Sequence, residues 1–269
     1  MSFALPWVSH HNERPQLRVS QPAVNLLPGR DDKHLRGYRA RIRGPCSAVS
    51  MIAIVGFSFL NPATIAMELK VVGNQIILNG QVAGDEPEKV REALTSSPEI
   101  DTVILRNSPG GNAPAGYRAG ELIRERGLRT AVSGYCYSSC SRMFLGGSAR
   151  YFTDDYVPES NNVGFHGHYD RIGRLNVDLM RQYGLRDWII KYSDGKADPV
   201  LVERWINIPY SRGMIHFFHP GLVKRSGVST FMCQGDEPQR SVFDCEPIAK
   251  TALVLGIITS LDLVHSADR

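Results

Sequence analysis

The sequence predicts an α/β fold in which parallel strands are linked through βαβ units, and three observations carry that expectation. Short apolar runs alternate with segments whose apolar residues recur at helical spacing. Glycine- and proline-rich breaks, Ser108-Pro109-Gly110-Gly111 above all, fall where a strand would hand over to a helix. Over 269 residues the chain is 42% hydrophobic and 22% charged. That composition excludes a wholly disordered, collagen-like or coiled-coil polypeptide.

Taken in order, residues 68–72 and 75–79 read as two strands around a Gly73-Asn74 turn, followed by a helix over 86–94 with Val90 and Leu94 on one face. Residues 102–105 form a short apolar strand. A helix over 113–126 carries Ala115, Ala119, Leu122 and Ile123 at helical spacing, and 129–133 is the next strand. A helix over 138–145, strands over 149–152 and 163–166, a long helix over about 174–192 and another over 199–206 continue the alternation. The apolar tail, 251–263, reads as a final strand and helix or as a membrane-proximal segment. Such alternation requires parallel strands with helices covering the faces of the sheet.

The chain holds 31 Lys+Arg against 27 Asp+Glu, but the surplus is local. Residues 1–66 contain eight of the basic and three of the acidic side chains, which leaves 23 and 24 beyond position 66, a net of −1. The basic cluster Arg36, Arg39, Arg41 and Arg43 precedes an apolar stretch over 48–60 and the small residues ending at Ala66. A positive segment, a short apolar core and small residues describe a secretory signal peptide cleaved after Ala66, with an uncleaved membrane anchor as the alternative. Residues 1–35 show no periodic pattern and read as an unassigned, disordered extension; 36–66 is the leader and 67–269 the folded domain. No stripe of aromatic and basic residues appears in 67–269, so no nucleic-acid partner is expected.

Cysteine usage fits export. Loss of Cys46 with the leader leaves Cys136, Cys140, Cys233 and Cys245, an even number suited to an oxidising compartment. Four cysteines allow three pairings, and spacing favours Cys136 with Cys140 and Cys233 with Cys245.

Three segments could carry chemistry. Asn107-Ser-Pro-Gly110-Gly111 lies at a strand-to-helix turn, where glycines leave backbone N–H groups unobstructed for a developing oxyanion. Gly134-Tyr-Cys136-Tyr-Ser138-Ser139-Cys140 ends a strand and opens a helix; Ser138 or Ser139 there is either a nucleophile or a helix N-cap. Val163-Gly-Phe-His166-Gly-His168 supplies imidazoles at a strand end, and strand parity lets either act as base. Cys136, Cys140, His166 and His168 also have the ligand types of a zinc site, but an oxidising compartment favours disulfides, and no metal or cofactor is expected.

The order of these motifs, a Gly-Gly turn, a serine at a strand–helix junction and a histidine at a strand end, resembles the Clp protease proteolytic subunit, whose fold is shared with crotonases and signal peptide peptidase A. Cys136-x-Ser-x-Cys140 with Gly164-Phe-His166 is similar to a group of exported, Clp-protease-like bacterial proteins. The resemblance covers about residues 68–230 and implies a spiral of βαβ units with a parallel sheet. It further implies Ser138 as nucleophile, His166 as base, and the N–H groups of Gly111 and Ser139 as oxyanion donors. A peptide or protein substrate and self-association into homo-oligomers also follow from it; a Cys136–Cys140 bond would brace the nucleophile turn, and an uncleaved leader would add membrane association. The chain departs from the family at its third catalytic residue: where an aspartate is expected, Trp205-Ile-Asn207-Ile-Pro-Tyr210 offers only Asn207, an imidazole-orienting group. Asp170, Asp187 and Asp194 are nearby in sequence, and Lys191 falls where signal peptide peptidases place a lysine base. Two functions remain in view, an exported serine hydrolase and a non-hydrolytic binding or assembly protein on the same fold.

Overall fold

The computed structural model describes residues 66–237 and 241–268. The leader, its cleavage point and the extension over 1–35 lie outside the described residues. β1 (Glu68–Val72) and β2 (Gln75–Asn79) form an antiparallel hairpin turned by Gly73 and Asn74. α1 (Glu86–Ser96) then crosses to β3 (Thr102–Ser108), α2 (Ala113–Glu125) to β4 (Arg129–Tyr137), and α3 (Ser139–Gly146) to β5 (Arg150–Thr153) and β6 (Asn162–Phe165). β2, β3, β4 and β6 are parallel neighbours. The expected βαβ core is therefore present.

Past β6 the pairing changes hand. α4 (Val177–Gln182), α5 (Leu185–Tyr192) and α6 (Pro199–Ile206) precede β7 (Met214–Phe218), which pairs antiparallel with β6; β8 (Thr230–Cys233) and the short β9 (Glu246–Pro247) extend that edge, also antiparallel. The sheet runs β1-β2-β3-β4-β6-β7-β8-β9, with β5 bridging from β4 to β10 (Leu263–Val264). The sheet is mixed, where the sequence implied a parallel one.

Several boundaries moved for identifiable reasons. β3 and β4 both outrun their predicted ends, because a bulge between Arg106 and Ser108 lets pairing resume at Ser108 with Cys136. The long helix expected over 174–192 is two helices. The Asn176 side chain accepts from Leu179 N–H and so starts α4 late, and Gly184 at φ +55 separates α4 from α5. The tail 251–263 forms turns in place of a strand and helix, and only Leu263–Val264 pairs, with β5. Its apolar residues Ala252, Leu255, Ile257 and Ile258 are buried as a plug, held by the Arg150 guanidinium, which donates to the carbonyls of Gly256 and Ile257. Among the described residues, no helix is long and apolar enough to cross a membrane.

The main core lies between this sheet and its helices. Phe165, Trp205 and Phe217 contact one another with ring centroids 5.8–6.2 Å apart, all essentially inaccessible. Burial of each such ring stabilises by about 1.5–3 kcal/mol. The cluster fixes the end of β6, and with it His166. Disulfides join Cys136 to Cys140 and Cys233 to Cys245, the pairing that spacing favoured.

Candidate active site

Ser138 sits between β4 and α3 at φ +55, ψ −120, a backbone conformation that a side chain adopts at a cost of about 1–3 kcal/mol. Several contacts hold it there. Its N–H donates to the Gly164 carbonyl at 3.1 Å, anchoring it to β6. Its carbonyl accepts from the Ser141 N–H, the Ser141 hydroxyl at 2.6 Å and the Arg142 guanidinium. The Cys136–Cys140 bond spans the turn from either side. Although Ser138 is the residue before the helix, its hydroxyl makes no capping bond. The hydroxyl therefore does not cap the helix, and Ser138 lines a cavity. Ser139, the rival nucleophile, is 1% exposed, which removes its hydroxyl from any substrate.

The Ser108–Gly111 loop approaches this turn as closely as backbone allows. A Cβ on Gly110 would stand 2.6 Å from Ser138 Cβ and 2.6 Å from the Tyr137 carbonyl oxygen, and one on Gly111 would stand 2.2 Å from the Val82 carbonyl oxygen. Both glycines also have positive φ, +90 and +141, so the loop requires glycine twice over. Val82 N–H donates to Gly110 O and Asn112 N–H to Val82 O, which fixes the loop while leaving the intervening Gly111 N–H outside that ladder. Among the described residues, neither the Gly111 nor the Ser139 N–H has an acceptor.

His166 follows β6 directly and is 7% exposed. Its Nδ1 lies 3.2 Å from the Gly213 carbonyl oxygen. A carbonyl can only accept, which assigns the proton to Nδ1 and leaves Nε2 with a lone pair. Burial, reinforced by the positive charge of Arg142, lowers the imidazole pKa to about 3, with the carbonyls of Gly213 and Ser211 acting in the opposite sense. Ser138, His166, Gly111, His168, Tyr169 and Ser211 line one cavity of about 410 Å³.

The other sequence candidates lie elsewhere or are already engaged. Asn207 is not the orienter of His166: its amide donates to the Glu203 carbonyl at 2.8 Å and carboxylate at 3.0 Å, on the α6 surface. Asp170 pairs with Arg174, Asp187 with Arg186, and Asp194 with Arg150 and Arg124. Lys191 is exposed and lies against the Tyr192 ring, which removes the Ser–Lys alternative. His168 lies beyond the end of β6, so strand parity does not govern it, and its Nε2 is 2.9 Å from the Tyr117 hydroxyl. Zinc ligation by Cys136 and Cys140 is foreclosed because each sulfur is bonded to the other.

No protein-family model and no curated protein sequence matches the chain. Among solved structures it is similar to ClpP1 from Listeria monocytogenes. That similarity has a TM-score of 0.40 at 13% identity and covers 49% of this chain and 78% of the other. A serine-to-alanine mutant of 1510-N, a membrane-bound stomatin-specific protease, is similar at TM-score 0.41 and 12% identity, over 71% of this chain and 78% of that one.

Sequence reasoning missed two groups. The Gly213 carbonyl is backbone and leaves no trace in residue type. Arg142 does leave a signal. It is the one cation in the otherwise uncharged helix Ser139–Gly146, one turn after Ser138, and it is 1% exposed.

Proposed function

We propose that this chain is an exported serine hydrolase that cleaves peptide or protein substrates. The observation that supports this most strongly is the strained, uncapped Ser138 sharing a cavity with His166 and Gly111, with the Gly111 and Ser139 N–H groups lacking an acceptor among the described residues. In this reading His166 Nε2 takes the Ser138 hydroxyl proton as Oγ attacks the acyl carbon, and the Gly111 and Ser139 N–H groups hold the resulting oxyanion. The imidazolium then returns that proton to the leaving amine or alcohol. Water, deprotonated in turn by His166, releases the acyl group and restores the serine. The Gly213 carbonyl holds the tautomer in place of a carboxylate, and the Cys136–Cys140 bond braces the turn. The two disulfides support an oxidising, exported location, and self-association and a leader-borne membrane contact belong to the same proposal.

A second reading, a non-hydrolytic binding or assembly protein, draws on one observation: among the described residues no carboxylate acts on His166, and the Arg142 cation does. Steady-state hydrolysis of activated acyl esters and short peptides by the full chain separates the two. The hydrolase reading expects turnover that falls to background in Ser138→Ala and survives in Ser139→Ala. Wild-type turnover no higher than background, and unchanged in Ser138→Ala, would favour the binding protein.

A further inference from the structure

Arg142 is among the most deeply buried side chains of the described residues, and no carboxylate pairs with it there. One guanidinium nitrogen donates to the Ser138 carbonyl and, at 3.2 Å, to Ser141 Oγ; the other donates to the His166 carbonyl at 2.7 Å. Its Nε has no partner among the described residues. Around it in α3 stand Met143, Phe144 and Leu145, all buried. An apolar residue at this position would avoid the cost of burying a charge, a cost that falls heavily on a cation without a counter-ion. The arrangement is therefore expensive for packing alone.

We propose that Arg142 is a positioning residue of the Ser138–His166 site: its planar fork ties the carbonyl of the nucleophile turn to the carbonyl that ends the base strand, and it sets a fixed positive charge behind the imidazole. The clamp keeps one spacing between two segments that no other side chain bridges in this way among the described residues. Burial keeps His166 neutral under conditions where an ordinary histidine is protonated, and the charge reinforces it. The titratable and charged side chains facing His166 act in the same sense or are neutral, and only the Gly213 and Ser211 carbonyls act in the opposite one. Arg142 from α3 and His216 from β7 disfavour the imidazolium, Tyr169 packs its ring 4.9 Å away, and Tyr117 from α2 engages His168 and faces Arg142. None of them supplies a negative charge.

This inference deepens the hydrolase reading, but one arm of its test does not need catalysis. Titration of His166 in the full chain by NMR, from about pH 8 to about pH 2.5, is expected to show an imidazole that stays neutral until close to about pH 3. In Arg142→Gln, which keeps donors and loses the charge, the midpoint moves up by about one pH unit or more, the order expected of a nearby unit charge. Arg142→Lys keeps the charge and loses the fork, so the midpoint stays low. In the kinetic arm, Arg142→Gln and Arg142→Lys both lower kcat about tenfold or more with KM little changed, and only Arg142→Gln shifts the acid limb of kcat/KM upward. A wild-type midpoint near the ordinary histidine value, or the same midpoint in wild type and Arg142→Gln, overturns the proposal without any variant having to turn over substrate. Absence of hydrolysis in wild type with the expected midpoints overturns the hydrolase reading and leaves the placement of charge intact.

Discussion

At single residues, the site depends on contacts too close to tolerate another atom. Gly110→Ala places a methyl 2.6 Å from Ser138 Cβ on a backbone at φ +90, so loop or nucleophile must move. Displacements of this size cost about a hundredfold in rate. The expected outcome is a folded protein with kcat/KM lowered about that much, checked by kinetics alongside circular dichroism. Ser138, Gly111 and His166 were legible as residue types in order along the chain. What was not legible is the hydrogen-bond partner of His166, because a carbonyl belongs to every residue: Nδ1 meets the Gly213 carbonyl, while Asn207 is engaged with Glu203. Arg142 was legible in principle as a charge inside an apolar turn of helix.

Among the elements, β6 leads directly into His166, and the aromatic cluster beneath it holds the strand. Phe165→Ala empties a fully buried site beside Trp205 and Phe217 and is expected to cost about 3–5 kcal/mol, read from denaturant unfolding. The first half of the fold was readable because its strands are apolar and its helices amphipathic, so period and composition agree. Later elements were harder to read. β4 runs on through Gly134, which sequence reasoning treats as a break, because the neighbouring strand bulges to match it. Gly184 sits inside a helical pattern that it interrupts by adopting the left-handed region. β7 and β8 contain His216 and Cys233 among apolar residues and lie on an antiparallel edge that no βαβ pattern announces.

Over the whole molecule, three buried histidines govern acid stability. Burial lowers His166 and His168 to about 3 and His216 to about 4, against an ordinary value of 6.5. Above the ordinary value both folded and unfolded states are neutral and these groups leave stability unchanged with pH. As pH falls below it, the unfolded chain takes up protons that the folded chain does not, and stability is lost at about 1.4 kcal/mol per pH unit for each histidine until the folded value is reached. Thermal stability is therefore expected to fall steadily between about pH 6.5 and pH 4, and His216→Gln is expected to flatten that slope by about a third. The disulfides act at the same scale. Closing loops of 4 and 12 residues, they contribute about 2 and 3 kcal/mol in the chain-entropy picture, so reduction lowers the unfolding midpoint.

The most direct measurement is covalent. The full chain, exposed to a serine-reactive fluorophosphonate and mapped by peptide mass spectrometry, is expected to carry the adduct on Ser138 alone. Ser139→Ala should retain that adduct and Ser138→Ala should lose it. A folded protein that takes no label, or takes it equally well without Ser138, would contradict the account.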